Sequence, residues 1–329
     1  MWSGAAMSAE PVSGEVLESI RERGFVRCGV RDNVEGFSVV DTNGKWSGFS
    51  VDFCSALAAA VTGSSDAVKF LPLANGRQYS ALASGDIDVL LGLDAWTLSR
   101  DTELGVRFVG TLFYDGQVFL VRSDQAVASA LELSGSSVCA LAGTRAQQGV
   151  ERFFGTRQMR YTLILKSRWD EAMETYREGT CNVLTGDMSL LASQRLKLSQ
   201  PNGHQILREV VSKEPFGPVV RGGDDAWFSI VRWTLMALLE AEELGITKEN
   251  IRDFERSKDS RVRQLLGTSG DLGASMGLSR EWAYNAISKV GNYEELFDRN
   301  LGKDSPLQVP RGLNDLWTSG GLMYGAPIR

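Results

Sequence analysis

The feature that most constrains the fold is an alternation of short apolar runs with helical patterns along the first two-thirds of the chain. The apolar runs, which we interpret as strands, are 25–30, 68–73, 87–91, 137–141, 161–165 and 182–185. The helical patterns are 14–23, 51–61, 79–83, 147–154, 170–176 and 188–198. Strands separated by helices favour a parallel, doubly wound sheet. The chain is therefore predicted to be an α/β protein.

The alternation occurs twice, and the second round resembles the first. The segment YSALASGDIDVLLGLD (79–94) and the segment METYREGTCNVLTGD (173–187) each contain a helix, a glycine, a buried strand, and then Gly and Asp. A chain of 329 residues is also too long for one small core. We therefore predict two similar α/β lobes.

Extended stretches between and after the two rounds are predicted to connect the lobes. They are 117–122, 206–211 and 215–220, and two crossings between lobes are typical of a hinged protein. From residue 225 onwards the pattern is mostly helical, with predicted helices at 227–239, 246–256, 261–265, 280–289 and 293–300. We expect lobe 1 at 14–118 and 214–329, lobe 2 at 119–213, and a disordered segment at 1–13.

Charge and composition narrow the classes of function. The net charge is −6 and the pI is about 5.1, which argues against a nucleic-acid-binding protein. No run of eighteen apolar residues is present, so no membrane span is predicted. The first residues, MWSGAAMSAEPVSGE, lack the basic and apolar regions of a signal peptide, as expected of either a mature secreted chain or a cytosolic protein.

The four cysteines, Cys28, Cys54, Cys139 and Cys181, leave two interpretations open. None has CxxC spacing and the chain has a single histidine, so we expect no zinc site. An even count with two cysteines in each half is consistent with two local disulfides, and therefore with an oxidising compartment. The alternative is that the cysteines are reduced core residues.

Ligands of open parallel sheets bind beyond the carboxyl ends of the strands. Those ends are 31–37, 75–78, 92–100, 142–147, 167–169 and 186–187. Arg100 lies there at the start of a short predicted helix that Thr97 or Ser99 can cap. Backbone amides at a helix start favour an anion, and a guanidinium beside them fits a carboxylate. The alternative is an exposed arginine paired with Asp101 or Glu103.

Asp187 is the corresponding anion of the second round. It follows the strand NVLT and precedes a helix, so it can bind an ammonium group or simply cap that helix. A cation in one lobe and an anion in the other suit a zwitterionic ligand.

The whole chain from about residue 16 to residue 329 resembles a known family. The matching segments are GFVRCGV, GKWSGFSVDFC, LASGDIDVL, WTLSRDTELGVRFVG, YDGQVFLVR, ALELSGSSVCALAGT, SKEPFGPVVRGGDDAWF, VGNYEELFDRN and RGLNDLW. They are similar to segments of the periplasmic solute-binding proteins of polar-amino-acid ABC transporters, in the branch of general L-amino-acid-binding proteins. The resemblance implies the type II periplasmic binding protein fold, with two α/β lobes, two hinge strands and a helical C-terminal extension on lobe 1.

The resemblance also implies roles for individual residues. It assigns Arg100 to the ligand α-carboxylate and Asp187 to the α-ammonium, and it pairs Cys28 with Cys54 and Cys139 with Cys181. The other ligand-binding positions that it implies are Phe37, Gln78, Gly92, Asp94, Ala95, Thr97, Thr144 and Arg145.

Several of these positions depart from the family pattern. Leu93, Asp94 and Ala95 replace the hydroxyl and amide residues that usually precede the tryptophan, and Arg145 replaces a threonine. Gln78 stands where the family often has arginine. Asp94 could therefore pair with Arg145 or face a cationic ligand group, and Arg145 could face a second ligand carboxylate.

We expect a periplasmic, monomeric solute-binding protein that captures an amino acid or a close derivative between its lobes and delivers it to an ABC permease. We expect no cofactor, no bound metal, no nucleic-acid partner and no catalysis. One alternative is a dehydratase or lyase derived from the binding fold, with Asp94 or Glu35 as general acid or base. Another is a sensory ligand-binding protein.

Overall fold

A computed structural model describes residues 14–74 and 76–329. Residues 1–13, for which the sequence predicts disorder, and residue 75 lie outside the described residues. The helices are α1 (Glu15–Arg23), α2 (Phe49–Thr62), α3 (Gln78–Ala83), α4 (Leu98–Glu103), α5 (Arg145–Thr156), α6 (Trp169–Arg177), α7 (Met188–Arg195), α8 (Asp225–Glu243), α9 (Ser260–Leu265), α10 (Trp282–Val290) and α11 (Tyr293–Asn300). The strands are β1 (Val26–Arg31), β2 (Val39–Val40), β3 (Trp46–Ser47), β4 (Val68–Leu73), β5 (Val89–Leu91), β6 (Val106–Phe108), β7 (Phe113–Asp115), β8 (Gln117–Arg122), β9 (Ser136–Leu141), β10 (Tyr161–Lys166), β11 (Val183–Asp187), β12 (His204–Ile206), β13 (Glu214–Phe216) and β14 (Val219–Arg221).

The described chain divides into two units. Unit 1 contains the described part of Met1–Leu112 with Gly217–Ser305 and Arg311–Arg329, and unit 2 contains Phe113–Phe216 and Pro306–Pro310. The sequence places Pro306–Pro310 in lobe 1, whereas the structure groups this segment with unit 2. The Arg195 guanidinium donates a hydrogen bond to the carbonyl oxygen of Leu307 at 2.8 Å, which explains the difference.

The sheet of unit 1 has the strand order β4-β1-β5-β14-β6. The first three strands are parallel, as the alternation of strands and helices predicts. β14, formed where the chain returns to unit 1, runs antiparallel to both β5 and β6. The sheet is therefore mixed, because a returning strand does not have to follow a crossover helix.

The C-terminal helices pack within unit 1. The α2 helix contacts α8, α10 and α11, and the ring of Phe49 meets the rings of Tyr293 and Phe297 edge-on at 5.7 and 6.0 Å. The helix predicted at 246–256 is wrong, because only Ile251–Phe254 forms a short 3₁₀ turn. The side chains of Thr247 and Asn250 bond to each other's backbone amides, a local pattern that competes with helix hydrogen bonds.

The sheet of unit 2 has the strand order β10-β9-β11-β8-β12. β10, β9 and β11 are parallel, and β8 runs antiparallel to both β11 and β12. The sequence predicts 117–122 as a connection between lobes, but this segment is β8, next to the central strand. Its residues 118–121 are all fully buried, which a strand covered on both faces explains.

A two-stranded pair lies where the chain enters and leaves the main segment of unit 2. β7 and β13 are antiparallel, and Asp115 stands opposite Glu214 in their register. Of the extended stretch predicted at 206–211, only Ile206 lies in a strand, at the end of β12, whereas the stretch predicted at 215–220 contains parts of β13 and β14. This pairing brings two buried acidic residues to one position in unit 2.

Each unit contains one disulfide. Cys28 pairs with Cys54 and Cys139 pairs with Cys181, with Cα atoms 6.3 and 5.8 Å apart. The pairs are those that the family resemblance implies, and they resolve the choice between disulfides and reduced core cysteines.

Candidate functional site

In unit 1 the predicted site is the loop between β5 and α4. Thr97 is the N-cap of α4, and its hydroxyl oxygen accepts a hydrogen bond from the Arg100 amide at 3.5 Å. Leu93 has a φ of 56°, a left-handed conformation that is uncommon for a residue with a side chain. The loop therefore turns sharply directly after the strand and returns the chain to the helix start beside Ala95, which is buried.

The guanidinium of Arg100 is oriented by this loop. One terminal nitrogen donates a hydrogen bond to the carbonyl oxygen of Ala95 at 2.7 Å, and the other lies 3.8 Å from a carboxylate oxygen of Asp94. Among the described residues, Arg100 forms no ion pair with Asp101 or Glu103, the alternative partners, and the Asp101 carboxylate instead accepts the Phe108 amide at 3.2 Å. The Arg100 side chain remains 29% exposed, so part of its donor surface is accessible.

Asp94 is surrounded by polar groups of unit 1. The Gln78 side-chain amide donates a hydrogen bond to it at 3.1 Å. A Cβ atom at Gly92 would lie 2.9 Å from the same carboxylate oxygen, so glycine leaves room for Asp94. Burial raises the pKa of Tyr79 to about 12, and the negative charge of Asp94 adds to this effect. The loop thus combines Gln78, Asp94 and Arg100 in one small polar cluster.

Phe37 occupies a different environment. It is buried, and its ring packs edge-on against Phe49 with centroids 6.3 Å apart. Its backbone carbonyl also borders Gly48, where a Cβ atom would come within 2.2 Å of it. Phe37 therefore contributes to the core beside α2.

In unit 2 the predicted residues line a cavity of about 210 Å³. The residues around it are Gln117, Leu141, Thr144, Arg145, Ala146, Trp169, Thr185, Gly186, Asp187, Leu190, Ser212 and Glu214. Three of them, Thr144, Arg145 and Asp187, are predicted from the sequence as ligand-binding residues. The structure brings these three together because the carboxyl ends of β9 and β11 are neighbours in the sheet.

Asp187 ends β11 and has the N-cap position of α7, but its side chain makes no capping hydrogen bond. Among the described residues, none donates a hydrogen bond to its carboxylate. Burial raises its pKa, and the positive charge of Arg145 opposes that rise. Simple helix capping, the alternative that the sequence leaves open, therefore does not account for Asp187.

Arg145 and Thr144 form the start of α5. The Thr144 hydroxyl accepts the Gln147 amide at 3.4 Å and donates to the Leu141 carbonyl oxygen at 2.7 Å. The Arg145 guanidinium lies 3.1 Å from the carboxylate of Glu214, which is buried, while 63% of the Arg145 side chain is exposed. Asp94 and Arg145 thus each have a charged partner within their own unit.

Five further polar residues around the cavity were not singled out from the sequence, namely Gln117, Trp169, Thr185, Ser212 and Glu214. The indole nitrogen of Trp169 and the amide oxygen of Gln117 are buried and have no hydrogen-bond partner among the described residues. Trp169 lies at a predicted strand end, so the sequence could have indicated it as a ligand-binding residue. Gln117 and Glu214 lie in or next to stretches predicted as connections, and the sequence gives no such signal for them. The Trp169 ring covers Gly186, where a Cβ atom would be 3.2 Å from it.

Comparison with known proteins gives this arrangement its context. Residues 26–250 match the model of the family "Bacterial extracellular solute-binding proteins, family 3". The chain belongs to this family. The fold class predicted from the sequence, two α/β lobes of the periplasmic binding protein type, is thereby confirmed.

Named relatives extend over almost the whole family 3 chain. It is 44% identical to the general L-amino acid-binding periplasmic protein AapJ of Rhizobium johnstonii, and the matched region covers 98% of this chain and 96% of AapJ. It is 43% identical to the glutamate/glutamine/aspartate/asparagine-binding protein BztA of Rhodobacter capsulatus, and the matched region covers 99% of this chain and 96% of BztA. A solved structure of a periplasmic binding protein from Brucella ovis with glutathione bound has 43% identity and a TM-score of 0.82, and covers 96% of this chain and 100% of its own.

The described residues contain no group of three or more His, Cys, Asp or Glu side chains placed to hold a metal ion. None of the helices in the described ranges is long and apolar enough to cross a membrane.

Proposed function

We propose that this solute-binding protein captures an L-amino acid or a small amino-acid derivative in the periplasm and delivers it, as a monomer, to the membrane subunits of an ABC transporter. Support comes from the names of AapJ and BztA, which are binding proteins for amino acids, and from their similarity over nearly the full chain. The acidic net charge of −6 is consistent with a protein that does not bind nucleic acid.

Arg100 is assigned to the ligand carboxylate. Its guanidinium is held by the Ala95 carbonyl oxygen and by Asp94, so little side-chain freedom is lost when a carboxylate arrives. A guanidinium can donate two parallel hydrogen bonds to a carboxylate, and this geometry selects a planar anion.

Asp187 is assigned to the ligand ammonium, and its lack of a capping partner is the observation that carries the proposal. A partly buried carboxylate with a raised pKa and no donor among the described residues gains from a cationic partner. An ammonium group supplies three donors and a positive charge, which stabilise the ionised carboxylate.

The ligand need not be a free amino acid. The Brucella ovis relative was solved with glutathione, which carries an α-amino-acid group at its glutamyl end. In this chain the cavity of unit 2 adds Arg145, Thr144 and Trp169 around Asp187, and Asp94 lies beside Arg100. These groups can bind the polar remainder of a larger amino-acid derivative.

We also propose that the protein does not transform its ligand. Asp94, the best-placed acid for the catalytic alternative, is bonded by Gln78 and lies near Arg100, so it is a structural partner of the proposed carboxylate anchor. Recovery of the incubated ligand unchanged by mass spectrometry is the expected result, and steady conversion to a product would contradict this part of the proposal.

The first experiment is a thermal-shift screen followed by calorimetry on the ligands that raise the melting temperature, because a ligand of the native state stabilises it by mass action. The screen contains the standard L-amino acids, glutathione, opines, betaines and dicarboxylates. Arg100→Ala is expected to weaken binding by about 1.5–3 kcal/mol, roughly 10- to 150-fold in Kd.

The two test variants are Arg100→Ala and Asp187→Asn. Each has a control that makes the same change of charge at an exposed ion pair. Arg107→Ala removes an arginine paired with Asp225, and Asp170→Asn removes a carboxylate paired with Arg168. Both controls should retain the affinity of the wild type. Unchanged affinity in Arg100→Ala and in Asp187→Asn would contradict the assignment of both residues.

A further inference from the structure

The start of α7 in unit 2 is capped by a residue that is distant in sequence. Asp187 has the N-cap position, with φ −65° and ψ 144°, and yet its side chain accepts no hydrogen bond from the helix. The first helical residues are Met188 and Ser189. The Met188 amide donates to the carbonyl oxygen of Gly116 at 2.9 Å, so a neighbouring chain segment satisfies it.

The side chain of Asp115 takes over the capping. One of its carboxylate oxygens accepts the Ser189 amide at 3.4 Å and the Gly116 amide at 2.8 Å, and the other accepts the Ser189 hydroxyl. Asp115 is 2% exposed and lies at the end of β7, and β7 and α7 belong to the same unit.

This arrangement decides what Asp187 can do. An N-cap aspartate normally accepts the amide of the second or third helical residue. The amide of Ser189, the second helical residue, is already bonded to Asp115. One of the two amides that an N-cap carboxylate can use is therefore occupied, and Asp187 has less to gain from turning toward the helix. Its carboxylate therefore remains at the cavity that contains Arg145 and Trp169.

We propose that Asp115 is a positioning residue that caps α7 in place of Asp187 and so keeps the Asp187 carboxylate available to a ligand ammonium group. This inference rests on the proposed function of Asp187. Asp115 itself is too buried to touch a ligand, so its effect on binding passes through Asp187.

The charges around Asp115 are consistent with this role. Burial raises its pKa to about 7, and the neighbouring charge of Asp187 contributes to the rise. Glu214 stands opposite Asp115 in the β7–β13 pair and has Arg145 as an ion-pair partner. Near neutral pH, Asp115 is therefore protonated in part of the molecules, which limits its repulsion of an ionised Asp187.

The test compares Asp115→Ala with Asp115→Asn. Both variants remove the carboxylate charge, but asparagine keeps an oxygen for the Ser189 and Gly116 amides and an NH₂ group for the Ser189 hydroxyl. If Asp115 acted only through its charge, both substitutions would have the same effect. If Asp115 acts as the cap of α7, only Asp115→Ala should show a loss.

The first measurement needs no ligand. The pKa of Asp187 is followed by NMR of side-chain carboxyl ¹³C, with Asp187→Asn identifying the resonance. In the wild type it should lie above the usual aspartate value. In Asp115→Ala it should be lower than in Asp115→Asn, because a carboxylate that accepts the vacated helix amide is stabilised in its ionised form. A wild-type value well below the usual one, or equal values in the two variants, would overturn the proposal.

The second measurement is calorimetry with L-glutamate and with glutarate, which lacks the amino group. Asp115→Ala should lose about fivefold in affinity for L-glutamate, the free-energy equivalent of one N-cap hydrogen bond. Asp115→Asn should stay near the wild type, and the affinity for glutarate should be similar in all three proteins. A purely structural defect would weaken both compounds together and would contradict the positioning role.

The two proposals fail in different ways. If Asp187→Asn binds L-glutamate as well as the wild type does, the ammonium role of Asp187 is wrong. If Asp187→Asn weakens binding but Asp115→Ala does not, the proposed function stands and the positioning role is wrong. Where Asp115→Ala does not fold or L-glutamate does not bind, the NMR titration of the wild type decides.

Discussion

Replacing Asp115 with asparagine should make the stability of the protein less dependent on pH. Asp115 is buried, and its pKa is raised from the usual 3.8 to about 7, first by burial. In the unfolded chain the same carboxyl ionises near its usual value. Between these two values the folded state binds more protons than the unfolded state, so the free energy of unfolding falls as pH rises.

The size of this change in the free energy of unfolding follows from the pH range between the unfolded-state and folded-state pKa values of Asp115. This range spans roughly three pH units, and 1.36 kcal/mol per unit gives about 4 kcal/mol in total. The stability that Asp115 contributes is complete below its unfolded pKa and is lost as pH rises through about 7. Between pH 5 and pH 8 the loss is about 2–3 kcal/mol, and Asp115→Asn, which cannot titrate, should not show it.

The assay is urea unfolding of both proteins at pH 5, 6, 7 and 8, followed by circular dichroism. The stability of Asp115→Asn minus that of the wild type should increase by about 2–3 kcal/mol from pH 5 to pH 8. Glu242, whose pKa burial also raises to about 7, titrates in both proteins and cancels in this difference.

Asp170→Asn is the control. The pKa of this exposed carboxylate is lowered by its hydrogen bond to Arg168, so the group is ionised from pH 5 to pH 8. The difference in free energy of unfolding between Asp170→Asn and the wild type should therefore stay constant over this range. A difference for Asp115→Asn that also stays constant from pH 5 to pH 8 would refute the assignment of a raised pKa to Asp115.

Two further predictions concern the stability of the units. Gly48→Ala should destabilise unit 1 by several kcal/mol, because Gly48 has a φ of 129° and a Cβ atom there would lie 2.2 Å from the Phe37 carbonyl oxygen. Gly44→Ala, at a φ of 80° with open space around it, should cost only about 1 kcal/mol in the same urea titration, and equal effects would contradict the steric argument. Replacing Cys139 and Cys181 by serine should lower the free energy of unfolding by about 4 kcal/mol, since the bond links residues 42 positions apart, and a change below about 1 kcal/mol would refute the entropic estimate.

Local patterns were sufficient for much of the fold. The strands β4 and β10 and the helix α11 begin within a residue of their predicted positions, because each is a compact apolar or amphipathic run with clear ends. The order of strands and helices also gave two similar α/β units. Local patterns failed for 117–122, because a buried strand inside a sheet and an apolar connection have the same composition.

The candidate site divides in the same way. Arg100 and Asp187 could be selected from the sequence because they follow buried strands, where the topology of a parallel sheet places ligands. The partners of Arg100 could not, since its interactions with Asp94 and Ala95 depend on the left-handed turn at Leu93. Glu214 was missed because its contact with Arg145 joins residues far apart in the chain.

The sequence by itself determined the fold class through its periodicity and the family through its resemblance to known members. It also singled out the two charged residues proposed to bind the ligand, because each follows a buried strand. Only the tertiary structure decided that Asp187 does not cap its own helix. That outcome depends on Asp115, which lies on another strand and reaches the helix start through the folding of unit 2. Competition between two carboxylates for one backbone amide is a property of the folded unit, and no local pattern of residues encodes it.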